Sequence, residues 1–530
     1  MYINFSDAAK FADIAKNLIN GFGYGGSFSF WPPNIPNLSR LGIFPSSWTP
    51  PVMSYSIAGF FKIFGVSDFA VIATSFFYFI LTLIFVYLLG KTIFNSKLVG
   101  ALSTLAVGFN YDIIHYATNG ASESPFIFEI VAASYFVSLK KKWASVTTIL
   151  LLVLMYFTRP QAFIYIAGVV LYWLLINFKP KKAIFVFFGL VLAGLVVDKF
   201  ILFPLGGKYF TYSIIGRGIY TSFDQTTVAS NALRGAATSS IAAASGPVGS
   251  SNFLVTVLSP LVKNIFYNLY NFYKALPEII NPYFTALFVF GIFLPPSRKA
   301  TEGQGNPQRA FKWASLFMVI VTFIVTAASI PFYRYLHPVI PLVYIIAVGT
   351  IVQILESQIT KQKLVVLAST LLILIFGVGQ TLGMLLLDSR FEAKTHNFGK
   401  PPVYVELSKI LKENTETDDV VVTNLDTWGS WYGERKTVWF PIEPKQLINP
   451  ATGNIPFDAI YLTSYLIDDA NYYMGADWRM IFENPNNSSK WRCEGCAEIA
   501  KEFKIEGVYK VSANDDYEKQ DASAVLLIKK

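Results

Sequence analysis

The chain has 530 residues, 53% of them apolar, 16% aromatic and only 15% charged, whereas a soluble chain is about 25% charged. With a mean hydropathy of +0.45, this composition excludes an ordinary cytosolic enzyme and a disordered chain. Residues 1–387 hold 26 bases against 11 acids, net +15, and residues 388–530 hold 17 against 23, net −6. The first part reads as a polytopic α-helical membrane protein and the second as a water-soluble, acidic tail.

The basic excess does not point to nucleic acid, because no stripe of bases interleaves with aromatics in the soluble tail. Lys and Arg instead cluster between apolar runs: Lys91 and Lys97, Lys140 to Lys142, Lys179 with Lys181 and Lys182, Arg298 to Lys312, and Lys361 with Lys363. Under the positive-inside rule these are cytoplasmic loops. Two cysteines in the whole chain exclude a disulfide scaffold.

In chain order, residues 7–20 place Ala8, Phe11, Ile14, Ala15 and Leu18 at helical spacing, which predicts an amphipathic helix lying in the membrane interface. Gly21, Gly23, Gly25 and Gly26 end it, and a Pro-rich loop with Trp31 and Trp48 follows. Apolar runs long enough to span, or nearly so, fall at about 67–90, 98–112, 124–139, 143–157, 160–177, 183–203, 280–295, 310–331, 335–355 and 363–387. Several are short, which leaves room for tilted, partial or re-entrant helices. Ten spans with the basic loops inside put residues 1–66, the loop at about 203–279 and the tail at 388–530 outside the plasma membrane. An outer N-terminal segment needs something upstream to carry it across, so a transmembrane helix is expected before Met1. The Gly/Ala/Ser-rich stretch at 206–252 is expected to be mobile, because loops of that length are usually functional or disordered. The tail is expected to be a small extracytoplasmic α/β domain, with a helix at 402–413 and strands at 420–424, 459–463, 507–511 and 524–528.

Ionisable groups near apolar runs are the candidates for function, since each costs about 2.5–3.5 kcal/mol at a helix centre. Asp7, Asp13, Asp112, His115, Glu123, Arg159, Arg334 and His337 all fall at outer ends of spans, and Glu129 is the mid-run acid. A transporter with a midplane site is expected to place charges or broken helices in mid-span. Here the polar groups face the outer leaflet. An acid there can act as general base on an acceptor hydroxyl, and arginines at helix ends can clamp a phosphate whose lipid tail stays in the bilayer. Together they suit group transfer from a lipid-phosphate donor. Taken singly, Asp13 reads as a solvated helix-face charge, Arg159 before Pro160 as a snorkelling arginine, and His337 as a packed interfacial histidine.

The stretch Asp7, Phe11, Ile14 to Leu18 and Gly21 to Tyr24 resembles the opening outer loop of the GT-C glycosyltransferases. Within them it is most similar to the branch of protein O-mannosyltransferases and the lipid A aminoarabinose transferase. Thr49 to Met53 with Phe64-Gly65 is similar to that branch's PPLY…FG segment, and Ser122 to Phe126 looks like its acidic second outer loop. Thr158 to Gln161 and Arg334 to Pro338 with Pro341 complete the pattern. The resemblance implies a polyprenyl-phosphate-linked sugar as donor, a protein, lipid or glycan acceptor, a site opening outward from the bilayer, and inversion at the anomeric carbon. It also implies Asp7 as catalytic base and Glu123 as the second acid that organises the site. Arg159 and Arg334 would contact phosphate, with Tyr335, His337 and Asp112 as further substrate-binding candidates. The chain departs from the family in carrying Asp7-Ala8 where Asp-Glu is common, and in lacking the family's first helix. No cofactor or metal is assigned.

Two competing readings remain open on sequence alone. One is a lipid-linked glycan flippase or transporter. The other is an oligosaccharyltransferase-like enzyme, because Thr427 to Gly433 (TWGSWYG) is faintly similar to the WWDYG motif. The bland reading of that stretch is a strand and turn packed on aromatics. Cys493 and Cys496 form a lone C-x-x-C, compatible with a local disulfide or with free thiols and short of the ligands zinc needs. Asn486 and Asn487 head N-x-S sequons.

Overall fold

The computed structural model describes residues 2–31, 42–46, 49–197, 200, 259–296, 306–328, 332–387, 401–465, 467, 474–512 and 521–530. Trp48, Arg298, the stretch at 206–252 and residues 388–400 lie outside the described residues. From the N-terminus, α1 (Ser6–Ile19) precedes the two-residue strands β1 (Gly25–Gly26), β2 (Phe28–Ser29) and β3 (Phe44–Pro45). Next come α2 (Pro51–Phe64), α3 (Asp68–Phe94), α4 (Lys97–Gly108), α5 (Tyr111–Thr118), α6 (Glu123–Ser138), α7 (Lys142–Thr158), α8 (Ala162–Asn177) and α9 (Pro180–Val197). After residue 258 follow α10 (Ser259–Ile279), α11 (Pro282–Phe293), α12 (Pro307–Ala328), 3-10 turns at Tyr333–Tyr335 and His337–Val339, and α13 (Ile340–Gln358). The helix α14 (Gln362–Ile373) continues through a π-helical turn (Leu374–Val378) into α15 (Gly379–Leu387). The C-terminal part contains α16 (Val403–Glu413), β4 (Val420–Thr423), α17 (Trp428–Trp431), β5 (Lys436–Trp439), β6 (Ala459–Thr463), α18 (Ala476–Glu483), α19 (Cys496–Glu502), β7 (Phe503–Val511) and β8 (Ala522–Lys529).

Among the described residues, five helices are long and apolar enough to cross a membrane: Asp68–Phe94, Pro180–Val197, Pro307–Ala328, Tyr333–Gln358 and Gln362–Gly383. The pair Ile265–Ile279 and Pro282–Phe293, bent by 109°, would make a sixth, and Lys97–Gly108, Lys142–Thr158 and Ala162–Asn177 are shorter apolar helices. The chain is a multi-pass membrane protein. The run expected at 98–112 is not one helix, because Asn110 starts a new one by accepting the Ile113 amide on its side chain at 3.2 Å. Helix crossings use small residues where backbones approach closely. A Cβ added at Gly100 would stand 2.7 Å from the Tyr87 carbonyl oxygen on the neighbouring helix. α13 is buried along most of its length and forms the centre of the largest apolar cluster.

The C-terminal sheet has six strands in the order β2-β5-β4-β6-β8-β7. The first four run parallel and the last two pair antiparallel. The helix expected at 402–413 and the four expected strands are present, with β7 and β8 longer than expected. Two strands escaped the sequence reading. β5 lies between two expected elements, and β2 comes from the N-terminal segment, where Phe28 and Ser29 pair with Thr437 and Val438. Alternation along the strands gives the sheet two cores. Val421, Tyr461 and Leu526 pack toward α16, α1 and α2, whereas Val422, Val438, Ile460 and Leu462 pack toward Trp478 and Ile499. The residues around α1, the start of α3 and one face of the C-terminal sheet therefore share a single apolar core. Cys493 and Cys496 are joined as a disulfide.

Asp13 and Asn17 on the polar face of α1 are buried, which corrects the expectation of Asp13 as a solvated helix-face charge. Asp13 is 3% exposed and accepts the Ser27 amide at 2.5 Å, while Asn17 donates to the Gly25 carbonyl at 3.0 Å. The Gly25–Gly26 strand makes this possible by lying across the helix, where a Cβ on Gly26 would meet the Asp13 carboxylate at 3.0 Å. Burial pushes the Asp13 carboxyl up to about 6, against the hydrogen bond from Ser27. A carboxyl raised on folding favours the native state when protonated, and that advantage is lost as pH rises through about 6. The shift corresponds to about 3 kcal/mol at neutral pH. Asp13→Asn keeps an acceptor for Ser27 and removes the buried charge, so the variant should melt at higher temperature than the native chain at pH 7. The gap should close below about pH 4, and equal melting at pH 7 would refute the buried-charge account.

Candidate active site

The seven candidate residues converge on four helix ends and on the two 3-10 turns that lead into α13. Asp7 is the second residue of α1, Asp112 lies in the first turn of α5, and Glu123 opens α6. Arg159 follows the last residue of α7 in an extended conformation (φ −151°, ψ 147°), as expected before Pro160. That conformation ends the helix. Arg334 and Tyr335 lie in one 3-10 turn, and His337 opens the next, which leads into α13 with Pro341 in its first turn.

Two ion pairs sit side by side. Arg334 Nη1 lies 3.1 Å from Asp7 Oδ2, with the arginine side chain 28% and the carboxylate 39% exposed. Arg159 Nη1 lies 2.6 Å from Glu123 Oε1, with both side chains buried, and donates to Ser122 Oγ at 3.0 Å. Tyr335 joins them. Its ring centre is 5.2 Å from the Arg334 guanidinium and 5.6 Å from that of Arg159, within the range of cation–π attraction. Arg334 also lies over the Phe5 ring at 5.1 Å. A second group adjoins through the same turn: His337 Nε2 is 3.6 Å from Asp112 Oδ2, and His337 Nδ1 bonds Tyr116 Oη at 2.5 Å.

Two residues depart from their readings taken singly, and a third keeps its reading with added partners. Arg159 does not snorkel; it is held in a buried pair. Asp13 is turned away from solvent onto Ser27. His337 is packed as expected, but with a carboxylate and a phenol as neighbours. Glu129, the mid-run acid, is buried and accepts from Thr158 Oγ1 at 2.7 Å, next to Arg159 in the chain. Sequence reading missed Phe5 and Tyr116, and it named Ser122 only as part of the acidic-loop motif. Tyr116 stands four residues after Asp112, one helical turn along the same face, so its spacing was a usable signal; the ring contact of Phe5 left none.

Burial alone would raise the Asp7 carboxyl, but Arg334, Lys10 and Arg159 more than offset it and hold it below the usual carboxylate range. Asp7 is therefore an anion at neutral pH, able to take a proton at an exposed edge. Gly120 brings the 119–122 loop close to it. Its φ is +76°, and a Cβ there would stand 2.6 Å from Val71 Cγ1 and 3.0 Å from Ala8 Cβ. Ala8 is fully buried against this glycine, so this chain has no room for a glutamate after Asp7. A cavity of about 680 Å³ runs between Phe332 and Tyr333, which precede Arg334 in the chain, and the face of α10 bearing Tyr267, Asn271, Lys274 and Glu278. Among the described residues, no group of three or more His, Cys, Asp or Glu could hold a metal ion.

The TWGSWYG stretch forms a helical turn, not an open binding surface. Trp428 stacks on Tyr404 at 4.2 Å and Trp431 on Phe61 at 6.1 Å, so the stretch packs on aromatics as its bland reading expects, but as a helical turn where a strand and turn were expected.

Residues 49–201 match the family described as dolichyl-phosphate-mannose-protein mannosyltransferase. This match supports the resemblance read from the motifs, a membrane glycosyltransferase of the GT-C type. The matched segment contains Asp112, Glu123 and Arg159. No curated protein sequence matches the chain. Solved structures similar in shape include the oligosaccharyltransferase of Archaeoglobus fulgidus in complex with Zn and sulfate, at 12% identity and TM-score 0.48, covering 97% of this chain and 75% of that one. Another is ArnT from Cupriavidus metallidurans bound to undecaprenyl phosphate, at 11% identity and TM-score 0.48, covering 99% and 94%. The apo state of the same ArnT matches at 11% identity and TM-score 0.44, covering 99% and 93%.

Proposed function

We propose that the protein transfers a sugar from a polyprenyl-phosphate donor to an acceptor hydroxyl at the outer face of the plasma membrane, with inversion and with Asp7 as general base. The observation that carries this reading is the Asp7–Arg334 pair, a partly exposed carboxylate and guanidinium at the rim of the membrane helices. In the proposed step the acceptor oxygen attacks the anomeric carbon while the bond from that carbon to the phosphate oxygen breaks. The electron pair leaves with polyprenyl phosphate, and the hydroxyl proton passes to Asp7. A single displacement of this kind inverts the configuration. Arg334, shared between Asp7 and two aromatic faces, can turn a second N–H toward the departing phosphate and stabilise its growing charge. Glu123 fixes Arg159 behind Tyr335, and Asp112 with His337 supplies hydrogen-bonding groups for sugar or acceptor hydroxyls. The soluble part at 388–530 and the segment 1–66 lie outside the membrane in this reading, flanking the helical region at 67–387.

Purified protein in nanodiscs, given a polyprenyl-phosphate hexose and a panel of peptide, lipid and glycan acceptors, should release polyprenyl phosphate and form a glycoside of inverted anomeric configuration. Retained configuration would remove the single-displacement mechanism. Movement of lipid-linked glycan across the bilayer without transfer would replace the enzyme reading with a transporter.

A further inference from the structure

The backbone just before Asp7 is held from the C-terminal part of the chain. Thr427 Oγ1 donates to the Ser6 carbonyl oxygen at 2.7 Å, the acceptor one peptide ahead of Asp7. Tyr432 Oη accepts the Ile3 amide at 2.9 Å, and Tyr404 Oη donates to the Ile3 carbonyl at 2.7 Å. Both polar groups of that buried residue are thus met by tyrosines from beyond residue 400. The same turn is latched to the membrane helices at Asp68, the first residue of α3. Asp68 Oδ1 accepts Trp431 Nε1, and Asp68 Oδ2 accepts Tyr432 Oη, each at 2.8 Å. On its other side the segment meets Arg334, which pairs with Asp7 and covers Phe5. Residues 3–7 therefore lie in a clamp with one jaw from the C-terminal part and one from the turn before α13.

We propose that Thr427 and Tyr432, anchored by Asp68, are positioning residues for Asp7, so that docking of the C-terminal part sets the distance between the base and Arg334. This rests on Asp7 being the base. The C-terminal part then has a role in the chemical step, acting through the Ser6 carbonyl without touching substrate. A hydroxyl-to-carbonyl bond fixes the orientation of one peptide plane. That plane opens α1, whose own ladder also holds it, so losing the Thr427 bond loosens the helix start that carries Asp7, and a misplacement of about 1 Å near the chemistry can cost about 100-fold.

Thr427→Val keeps the shape of the side chain and removes its hydroxyl, whereas Thr427→Ser keeps the hydroxyl. In the full-length protein in nanodiscs, Thr427→Val should lower kcat by about 10- to 100-fold with affinity for a polyprenyl-phosphate hexose unchanged, and Thr427→Ser should recover most of the loss. Tyr432→Phe, which frees Asp68 and the Ile3 amide while keeping the ring, should act in the same direction.

A pH profile separates positioning from general damage. The charged groups acting on Asp7 are Arg334, Lys10 and Arg159. An Asp7 that has moved away from Arg334 loses the largest of these stabilising charges. The acid limb of kcat/KM should then move to higher pH in Thr427→Val, and not in Thr427→Ser. Native kcat with an unmoved acid limb in Thr427→Val would overturn the proposal. So would equal losses of kcat and donor affinity that serine does not restore. Asp7→Asn, measured alongside, keeps the two readings apart. Normal turnover in that variant removes the base itself, whereas slow Asp7→Asn with normal Thr427→Val removes only the positioning role.

Discussion

Asp7→Asn is expected to lower kcat by about 100- to 10,000-fold, the usual range for loss of a general base, while donor affinity changes little. Asparagine keeps the size of the side chain and an oxygen for Arg334 Nη1, but it cannot take a proton. An interaction made only in the transition state lowers kcat and kcat/KM together. The native profile should also keep its activity well into the acid range. Arg334, Lys10 and Arg159 hold Asp7 below the ordinary carboxylate value, so the carboxylate persists until pH falls through that depressed value. Near-normal turnover by Asp7→Asn, measured as release of polyprenyl phosphate, would sink the assignment.

The two arginines, equivalent by their place at helix ends, are expected to fail in different ways. Arg334 is partly exposed and reaches Asp7 with one nitrogen. Arg334→Ala should weaken donor binding by roughly 10- to 150-fold, the equivalent of about 1.5–3 kcal/mol for a lost charge-assisted hydrogen bond. Lysine at that position should restore only part of the affinity, because a point charge lacks the planar fork. Arg159 is buried against Glu123 and Ser122. Arg159→Ala strands a buried carboxylate, which costs about 3–5 kcal/mol, so this variant should lose thermal stability before its donor affinity can be compared. Donor binding to Arg334→Ala at native strength would move the phosphate site elsewhere. A native melting temperature for Arg159→Ala would show that Glu123 does not depend on its partner.

Six of the seven candidates were legible because a membrane makes ionisable groups expensive, and the ones kept at span ends stand out against plain Lys and Arg loops. Tyr335 came in only with the motif around Arg334. The pairing was not legible. Nothing in the spacing of Asp7, Glu123, Arg159 and Arg334 indicates which acid meets which base, since that follows from how the helix ends and the 3-10 turns are brought together. Helices were easier than their breaks. The run at 98–112 reads as one helix although it ends in Asn110-Tyr111-Asp112, and the Asn110 cap on Ile113 divides it. In the C-terminal part, four strands announced themselves by β-branched runs. β2 did not, because two residues, Phe28 and Ser29, carry no period of their own and become a strand only when β5 supplies an edge. Asp13 was misread for a related reason. Amphipathicity identifies the apolar face of α1 correctly but says nothing of a glycine strand that covers the polar one.

The hydrogen bond from Thr427 to Ser6 joins residues 421 positions apart, and this separation gives assembly of the site an order in time. At about 5–20 residues per second, the ribosome reaches Thr427 roughly 20–80 s after it has made Ser6. For that interval the Asp7 segment lacks its contacts to Thr427 and Tyr432, while the elements that carry Glu123, Arg159 and lastly Arg334 are made one after another. A message cut short after Arg334 and before Thr427 yields a chain that holds both arginines and the carboxylate but not the Thr427 and Tyr432 contacts to the Asp7 segment. If Thr427 positions Asp7 as proposed, completion of the chain past Thr427 becomes a condition for closing that jaw on the Asp7 segment.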